Sequence, residues 1–385
     1  MKKVLKLLAF FAASFVMGIL GGIALLMVLD GKSLSDIPEI FSKVNIFKVI
    51  GTFLLSIALI YVAFLLQVIV HEGGHLVAGL LTGFRFVSFR IFGLTLIRHE
   101  GKFQWRRFAI SGTGGQCLMA PPQKPLAEIN MKWYNMGGVL ANFLVSTLAL
   151  ALFICRDWSD GMNIFLMSTA VAGYSLALLN GFPLKFSGVN NDGYNMRYLE
   201  RSPRDKQLLC QLLEANAQIQ EGKTISELPA AMFNDDAPID WSDGIQANWQ
   251  MYVIARMEAE HRWEDAYQLI SQALADERLL PLIAIELKLD MAFVCLLTGR
   301  KDEAHALYDD QLQSYAQRFS RTQSSKQRII FTVTLLLHEQ TSEALAILNN
   351  MKAHRNDYLM QGEVATDIEL MEHIYANYAP NYVDA

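Results

Sequence analysis

Four stretches without a charged side chain crowd the first half of this 385-residue chain, and they limit what it can fold into more than any other feature. They cover residues 7–29, 49–70, 134–155 and 164–179. In lipid every backbone N–H and C=O must find its partner within the segment, so apolar runs of this kind are read as helices. The first, with 23 residues, spans a hydrocarbon core of about 30 Å at about 1.5 Å per residue. A secretory signal is the competing reading, but its apolar run is usually about 7 to 15 residues, and no small-x-small cleavage site precedes Asp30. The chain is therefore expected to cross a membrane about four times, with the second crossing starting near Ile46.

Orientation follows from the basic residues that flank the runs. Lys2, Lys3 and Lys6 precede the first, and Arg85, Arg90, Arg98, Lys102, Arg106, Arg107, Lys124 and Lys132 fill the segment between the second and third. By the positive-inside rule both segments face the cytoplasm. The connection at 30–48 mixes lysines with Asp30, Asp36 and Glu39, and that at 156–162 is short and nearly neutral, which suits the outer side. Both termini then lie in the cytoplasm. The formal charge of −5, with no basic stripe carrying interleaved aromatics, speaks against a nucleic-acid partner. Cys117, Cys155, Cys210 and Cys295 show no CxxC spacing, which argues against a disulfide framework or a cysteine zinc site.

The second apolar run ends in His71-Glu72-Gly73-Gly74-His75. On a helix, positions i and i+4 share a face, so His71 and His75 can offer their imidazoles to one Zn²⁺ while Glu72 stands beside it to take a proton from water. Ionisable groups at membrane depth are costly and mark function more often than packing. A catalytic zinc usually has three protein ligands, and the third candidate is Asp192. The fourth apolar run is short and is broken by Asn180-Gly181-Phe182-Pro183, after which Asn190-Asn191-Asp192-Gly193 follows. Proline disrupts the helix, and irregular backbone at this depth must line a cavity or protein. Asn190 or Asn191 can orient the carboxylate, as metal-binding carboxylates normally require.

With these motifs the chain resembles the site-2 protease family of intramembrane zinc metalloproteases, over about residues 46–193. His71-Glu72-Gly73-Gly74-His75 is similar to the family's zinc helix, Asn180 to Pro183 with Asp192-Gly193 to its second motif, and Gly137-Gly138-Val139-Leu140-Ala141-Asn142 to the segment between them. The resemblance implies that His71, His75 and Asp192 hold zinc and that Glu72 is the general base. It also implies that Asn142 faces the site and contacts substrate or the oxyanion, and that hydrolysis proceeds by zinc-activated water. Two departures stand out: the gap from Pro183 to Asp192 is long, and Gly138 stands where a proline is common. By the same resemblance the substrate is a membrane-embedded protein or peptide, and the location a bacterial cell membrane. The alternative from another class is a non-catalytic scaffold that recruits partners.

Between the second and third runs, residues 84–125 carry aromatic and β-branched segments, 84–91 and 102–110, that read as a β-hairpin or small sheet whose edge would pair with an unwound substrate. From residue 201 the patterning is that of a soluble helical domain. Trp263-Glu264-Asp265-Ala266, Lys301-Asp302-Glu303-Ala304 and Thr341-Ser342-Glu343-Ala344 place alanines 38 and 40 residues apart, each ahead of an apolar helical stripe. The pattern resembles tetratricopeptide-like helical hairpins, which stack to leave a concave face for a cytoplasmic protein partner. The expected architecture is thus mainly α. Residues 1–45 form an anchoring helix and outer loop, 46–200 a membrane metalloprotease core with a β segment, and 201–385 a separable recruiting or regulatory domain.

The topology is directly testable. Tags placed after Lys32 and near Asp160 are expected to react with an impermeant reagent from outside, while tags within residues 85–132 and at the C-terminus stay protected until the membrane is opened. The inverse labelling pattern would overturn the orientation.

Overall fold

The computed structural model describes Gly21 and residues 45–379, apart from residues 100, 108–113, 187–188 and 235–236. The expected first span at residues 7–29 and its outer loop lie outside the described residues. The described residues fall into two units that divide between Leu59 and Ile60.

Three described helices are long and apolar enough to cross a membrane, as the second, third and fourth runs require. The first, α1 (Ile46–Leu81), has 36 residues and a length of about 54 Å at about 1.5 Å per residue. It stops because Gly83 takes a left-handed φ of 88°. This lets Phe84 N–H reach the Gly79 carbonyl at 2.9 Å and Gly83 N–H that of Leu80 at 3.2 Å, the paired closure of a Schellman end. Four antiparallel strands follow: β1 (Arg85–Ile91), β2 (Leu94–His99), β3 (Lys102–Arg107) and β4 (Gly115–Ala120), in the order β3-β2-β1-β4. The expected hairpin or small sheet is a four-stranded antiparallel sheet. Strands β2 and β4 lie outside the two segments, 84–91 and 102–110, that the composition marks as strands. Paired along one whole edge with β1, β4 forms a strand despite the glycines and prolines beside it.

Helix α2 (Met131–Cys155) is capped by Asn130, whose side-chain oxygen accepts the N–H groups of Lys132 and Trp133. A short turn joins it to α3 (Asp160–Gly181), which ends before Pro183. A small hairpin, β5 (Lys185–Phe186) and β6 (Val189–Asn190), leads into α4 (Asp192–Tyr198). The long gap from Pro183 to Asp192 is this hairpin. Its ends are tied where Asn191 N–H bonds the Leu184 carbonyl at 3.1 Å and Asn191 Oδ1 accepts Leu184 N–H at 3.0 Å.

Helices α1 and α2 meet through small residues. A Cβ built on Gly74 would land on the Gly137 carbonyl and 2.7 Å from the Ala141 methyl, and one on Gly137 would land on the Gly74 carbonyl and 2.7 Å from the Ala78 methyl. Each helix therefore presents a small-xxx-small pair to the other, the pattern that lets two membrane helices touch backbone to backbone.

The rest of the chain is helical: α5 (Pro203–Gln220), α6 (Gly244–Ala259), α7 (Trp263–Ala275), α8 (Pro281–Leu297), α9 (Lys301–Leu307), α10 (Asp310–Phe319), α11 (Ser324–Thr332), α12 (Thr341–Ala353) and α13 (Gln361–Tyr378). The three alanines of the sequence repeat each occupy the fourth position of a helix, α7, α9 and α12, and each is fully buried. Five residues before each alanine stands a residue with left-handed φ: His261 at 58°, Gly299 at 78° and Glu339 at 58°. The repeat is therefore one of backbone conformation as well as of side chains.

Two observations reach beyond the sequence reading. One apolar cluster runs from Phe84, Cys117, Met119 and Met131 through Leu208, Leu212 and Ile219 of α5 to Trp249 of α6, across the boundary expected at residue 201. In addition, α13 packs against α5 as well as α11 and α12. A Cβ on Gly362 at its start would strike the Lys223 carbonyl, so the last helix closes on the first instead of leaving the concave face open along its length.

The α1–α2 contact yields a paired test. Gly74→Ala must push two backbones apart and is expected to cost about 1–3 kcal/mol or more. Gly73→Ala, whose Cβ meets nothing within 4 Å, should be neutral or stabilising by up to about 1 kcal/mol. Thermal unfolding of the two variants distinguishes them, and equal behaviour would remove the close crossing.

Candidate metal centre

The crossing of α1 and α2 places His71 and His75 against α2. Gly138 makes room for them, since a Cβ there would fall 2.5 Å from His75 Nε2 and 2.7 Å from His71 Cε1. This is a local reason for glycine where the family resemblance implies proline.

Each imidazole is fixed from behind. His71 Nδ1 lies 2.7 Å from Asn142 Oδ1. The Asn142 amide donates both hydrogens to Gln67, at 2.8 Å to its backbone carbonyl and 2.7 Å to Oε1. Its oxygen is therefore the acceptor facing His71, and Nδ1 carries the proton. His75 Nδ1 lies 2.8 Å from the Tyr134 backbone carbonyl, which can only accept, so here too Nδ1 is the donor. In both neutral rings the lone pair then sits on Nε2.

Those two lone pairs converge. His71 Nε2 and His75 Nε2 are 3.1 Å apart, and Asp192 Oδ2 lies 3.2 Å from the first and 3.3 Å from the second. Asp192 Oδ2 is buried and has no hydrogen-bond partner. Three donor atoms this close and this buried must be joined either by protons shared between them or by one cation that takes the protons' place. Tetrahedral coordination with bonds of about 2.0 Å requires donor–donor edges of about 3.3 Å, so the triangle has the size that zinc demands. Among the described residues no other group of three metal-ligating side chains converges in this way.

Asp192 arrives from the opposite side, as the first residue of α4. Gly193 allows the approach, since a Cβ there would strike the Gly181 carbonyl at the end of α3. Asn191 holds the junction. Its Nδ2 donates to the carbonyls of Leu179 and Phe182, each at 2.7 Å, and its Oδ1 caps α4 through Tyr194 N–H at 2.9 Å. Asn191 therefore acts on the backbone that carries Asp192 rather than on its carboxylate.

Glu72 faces β4. A Cβ on Gly115 would fall 2.7 Å from Glu72 Oε1, and the backbone N–H of Cys117 is the carboxylate's hydrogen-bond partner. His71, Glu72, His75 and Asp192 all line one cavity of about 710 Å³, walled also by β4 and by Leu209 and Leu213 of α5. Asn142 does not line it: fully buried, it spends its amide on His71 and Gln67.

Sequence reasoning missed Gln67. This fully buried side chain accepts from Asn142 and donates to Ser146 Oγ at 3.3 Å and to the Thr169 carbonyl at 2.9 Å, joining α1, α2 and α3 around the metal site. The available signal was an amide within an apolar run, one helical turn before His71 and on the same face.

A family model described as Peptidase family M50 matches residues 59–353, more than half of the chain. No curated protein and no solved structure gives a match. The chain belongs to Peptidase family M50, the site-2 protease family that its motifs resemble, and it is a metallopeptidase with membrane-spanning helices.

The supports behind the ligands can be separated from the ligands themselves. Asp192→Ala removes a donor and is expected to abolish stoichiometric metal binding. Asn142→Ala leaves three donors but frees the His71 ring, and is expected to weaken metal affinity about 10- to 100-fold. Metal content after competition with a graded chelator measures both, and an unchanged Asn142→Ala affinity would detach Asn142 from the site.

Proposed function

We propose that the chain is an intramembrane zinc protease that cleaves membrane-embedded proteins or membrane-retained peptides. The observation that carries this reading is the convergence of three metal-ligating atoms, His71 Nε2, His75 Nε2 and Asp192 Oδ2, in a cavity that also receives Glu72. The donor set of two imidazoles and one carboxylate suits zinc and leaves a fourth position for water or substrate. Zinc, when bound, polarises the scissile carbonyl and lowers the pKa of water at the site toward about 7. Glu72 accepts the proton of the attacking water and returns it to the leaving amine. The Cys117 N–H that it faces keeps the carboxylate aimed into the cavity.

Substrate backbone needs partners once its helix opens. Asn180, Asn190 and Asn195 line the cavity, and the side-chain oxygens of Asn190 and Asn195 are buried without a donor. Carboxamides offer both donor and acceptor to an extended peptide of any sequence. Pairing along the β4 edge is more restricted than expected. Cys117 N–H already faces Glu72, and its carbonyl accepts the Tyr134 hydroxyl at 2.8 Å, which leaves the Gly115 end of the strand for substrate.

In this reading both termini are cytoplasmic, the metal lies toward the inner leaflet, and residues 201–385 form a tetratricopeptide-like domain that governs access or partners. The alternative of a non-catalytic scaffold leaves the buried convergence of His71, His75 and Asp192 without a purpose.

Glu72→Gln keeps the size of the side chain but removes its basicity, so metal content should be unchanged. Cleavage of a membrane substrate should fall about 10²- to 10⁴-fold, equivalent to about 2.7–5.5 kcal/mol. Chelation should abolish wild-type cleavage, and zinc should restore it. A Gln variant with full activity would remove Glu72 as the base, and full activity without metal would end the metalloprotease reading.

A further inference from the structure

A second cavity, of about 220 Å³, lies inside the helical domain, far along the chain from the metal ligands. It sits among α6, α8, α11 and α13, where the first helix of each hairpin faces inward and α13 closes the ring.

One wall of this cavity is charged and short of cations. Arg328 Nη2 lies 2.9 Å from Glu258 and 3.7 Å from Asp290, and its Nε bonds Asp367 at 2.8 Å. Lys326 pairs with Glu286. Glu363 has no cation of its own, and its partner is the Ser325 hydroxyl. Five carboxylates thus face two cations. Individual atoms are left unsatisfied as well: Glu258 Oε1, Asp367 Oδ2 and the donor Arg328 Nη1 have no hydrogen-bond partner, although Glu258 and Asp367 are only 2% and 3% exposed. An unpaired carboxylate oxygen in so dry a place is costly, and a ligand that supplies N–H groups would recover that cost. Burial also pushes the Glu258 carboxyl above the usual carboxylate range, with Asp290 and Asp367 adding to it, and raises that of Glu363, with Asp367 adding to it. The lining also includes the apolar side chains Ile219, Ile225, Met251 and Leu370.

We propose that this cavity is a binding site for a small organic cation, a primary amine or guanidinium on a short aliphatic body. A metal ion is disfavoured because Lys326 and Arg328 already share the space and no three of these carboxylates converge on one point. The volume, equal to about seven water molecules at about 30 Å³ each, admits a diamine or one basic side chain. The carboxylates come from α6, α8 and α13, so the bound cation would tie the closing helix to the first two hairpins.

The test uses the full-length protein in detergent, with 1,4-diaminobutane and agmatine as free probes, a blocked tripeptide with a central lysine as the side-chain probe, and 1,4-butanediol as the neutral control. Calorimetry is expected to show saturable binding of at least one cationic probe and none of the diol. Binding of the free amines alone identifies a diffusible ligand, whereas binding of the tripeptide identifies a basic side chain. Glu363→Gln spares the ion pairs of Arg328 and should weaken binding at least tenfold, and Glu258→Gln should do the same through the unpaired oxygen. Absence of saturable binding by every cation, equal binding of the diol, or unchanged affinity in both variants with a normal melting transition would overturn the proposal.

Discussion

The backbone contact between Gly74 and Gly137 is the constraint on which the metal site depends. Membrane helices gain little from burying apolar side chains against one another, because lipid is equally apolar, so their approach is decided by how closely the backbones can come. Here small residues on both helices bring the chains into contact. At that distance the Asn142 amide reaches His71 and the Tyr134 carbonyl reaches His75. Separation of the helices by the width of a methyl group would break both bonds, free both rings to rotate and leave the tautomers undefined. The glycines at this crossing thus determine how the proposed ligands are held, although they are not ligands themselves.

The proposed ligands are legible in the sequence because the spacing of His71 and His75 is set by one helix. His71, Glu72 and His75 can be read with no knowledge of the fold, and Asp192 could be found because Pro183 breaks the helix that would otherwise carry it past the site. What the sequence did not reveal is how the ligands are held. Gln67 and the Tyr134 carbonyl act across helix contacts, and a main-chain carbonyl leaves no trace in residue identity. Asn142 was expected to face substrate by analogy of motif. Its place behind His71 follows from the direction of one amide, which only the packing of α1 against α2 determines.

The helical half shows the same division between local and distant causes. Its repeat was visible because each hairpin turn is local: a left-handed residue, then a helix whose fourth residue must be small. The closure of α13 on α5 was not visible. It joins residues far apart in sequence, and its marker is the lone Gly362, which reads as any helical glycine until the Lys223 carbonyl is found beside it. Strand β4 was missed for a related reason. Its glycine-flanked residues carry weak strand preference, and it becomes a strand through pairing with β1.

The helical half is also no mere appendage to the metal site. Leu209 and Leu213 of α5 wall the metal cavity, and on the same helix Leu208, Leu212 and Ile219 belong to the apolar cluster shared with Met119 and Met131. Arg85 of β1 reaches Glu214 at 2.7 Å, and Gln220 Nε2 donates to the Val87 carbonyl at 3.1 Å. Helix α5 is therefore held by the sheet along one side and touched by α13 on another. A helix shared in this way cannot shift in response to events in the ring of hairpins without moving a wall of the cavity beside Glu72. Coupling of this kind needs no signal through the membrane helices, since the moving part and the cavity wall are the same helix. A protease whose site is enclosed must regulate the entry of substrate and water, and α5 is the element on which both halves of the chain can act.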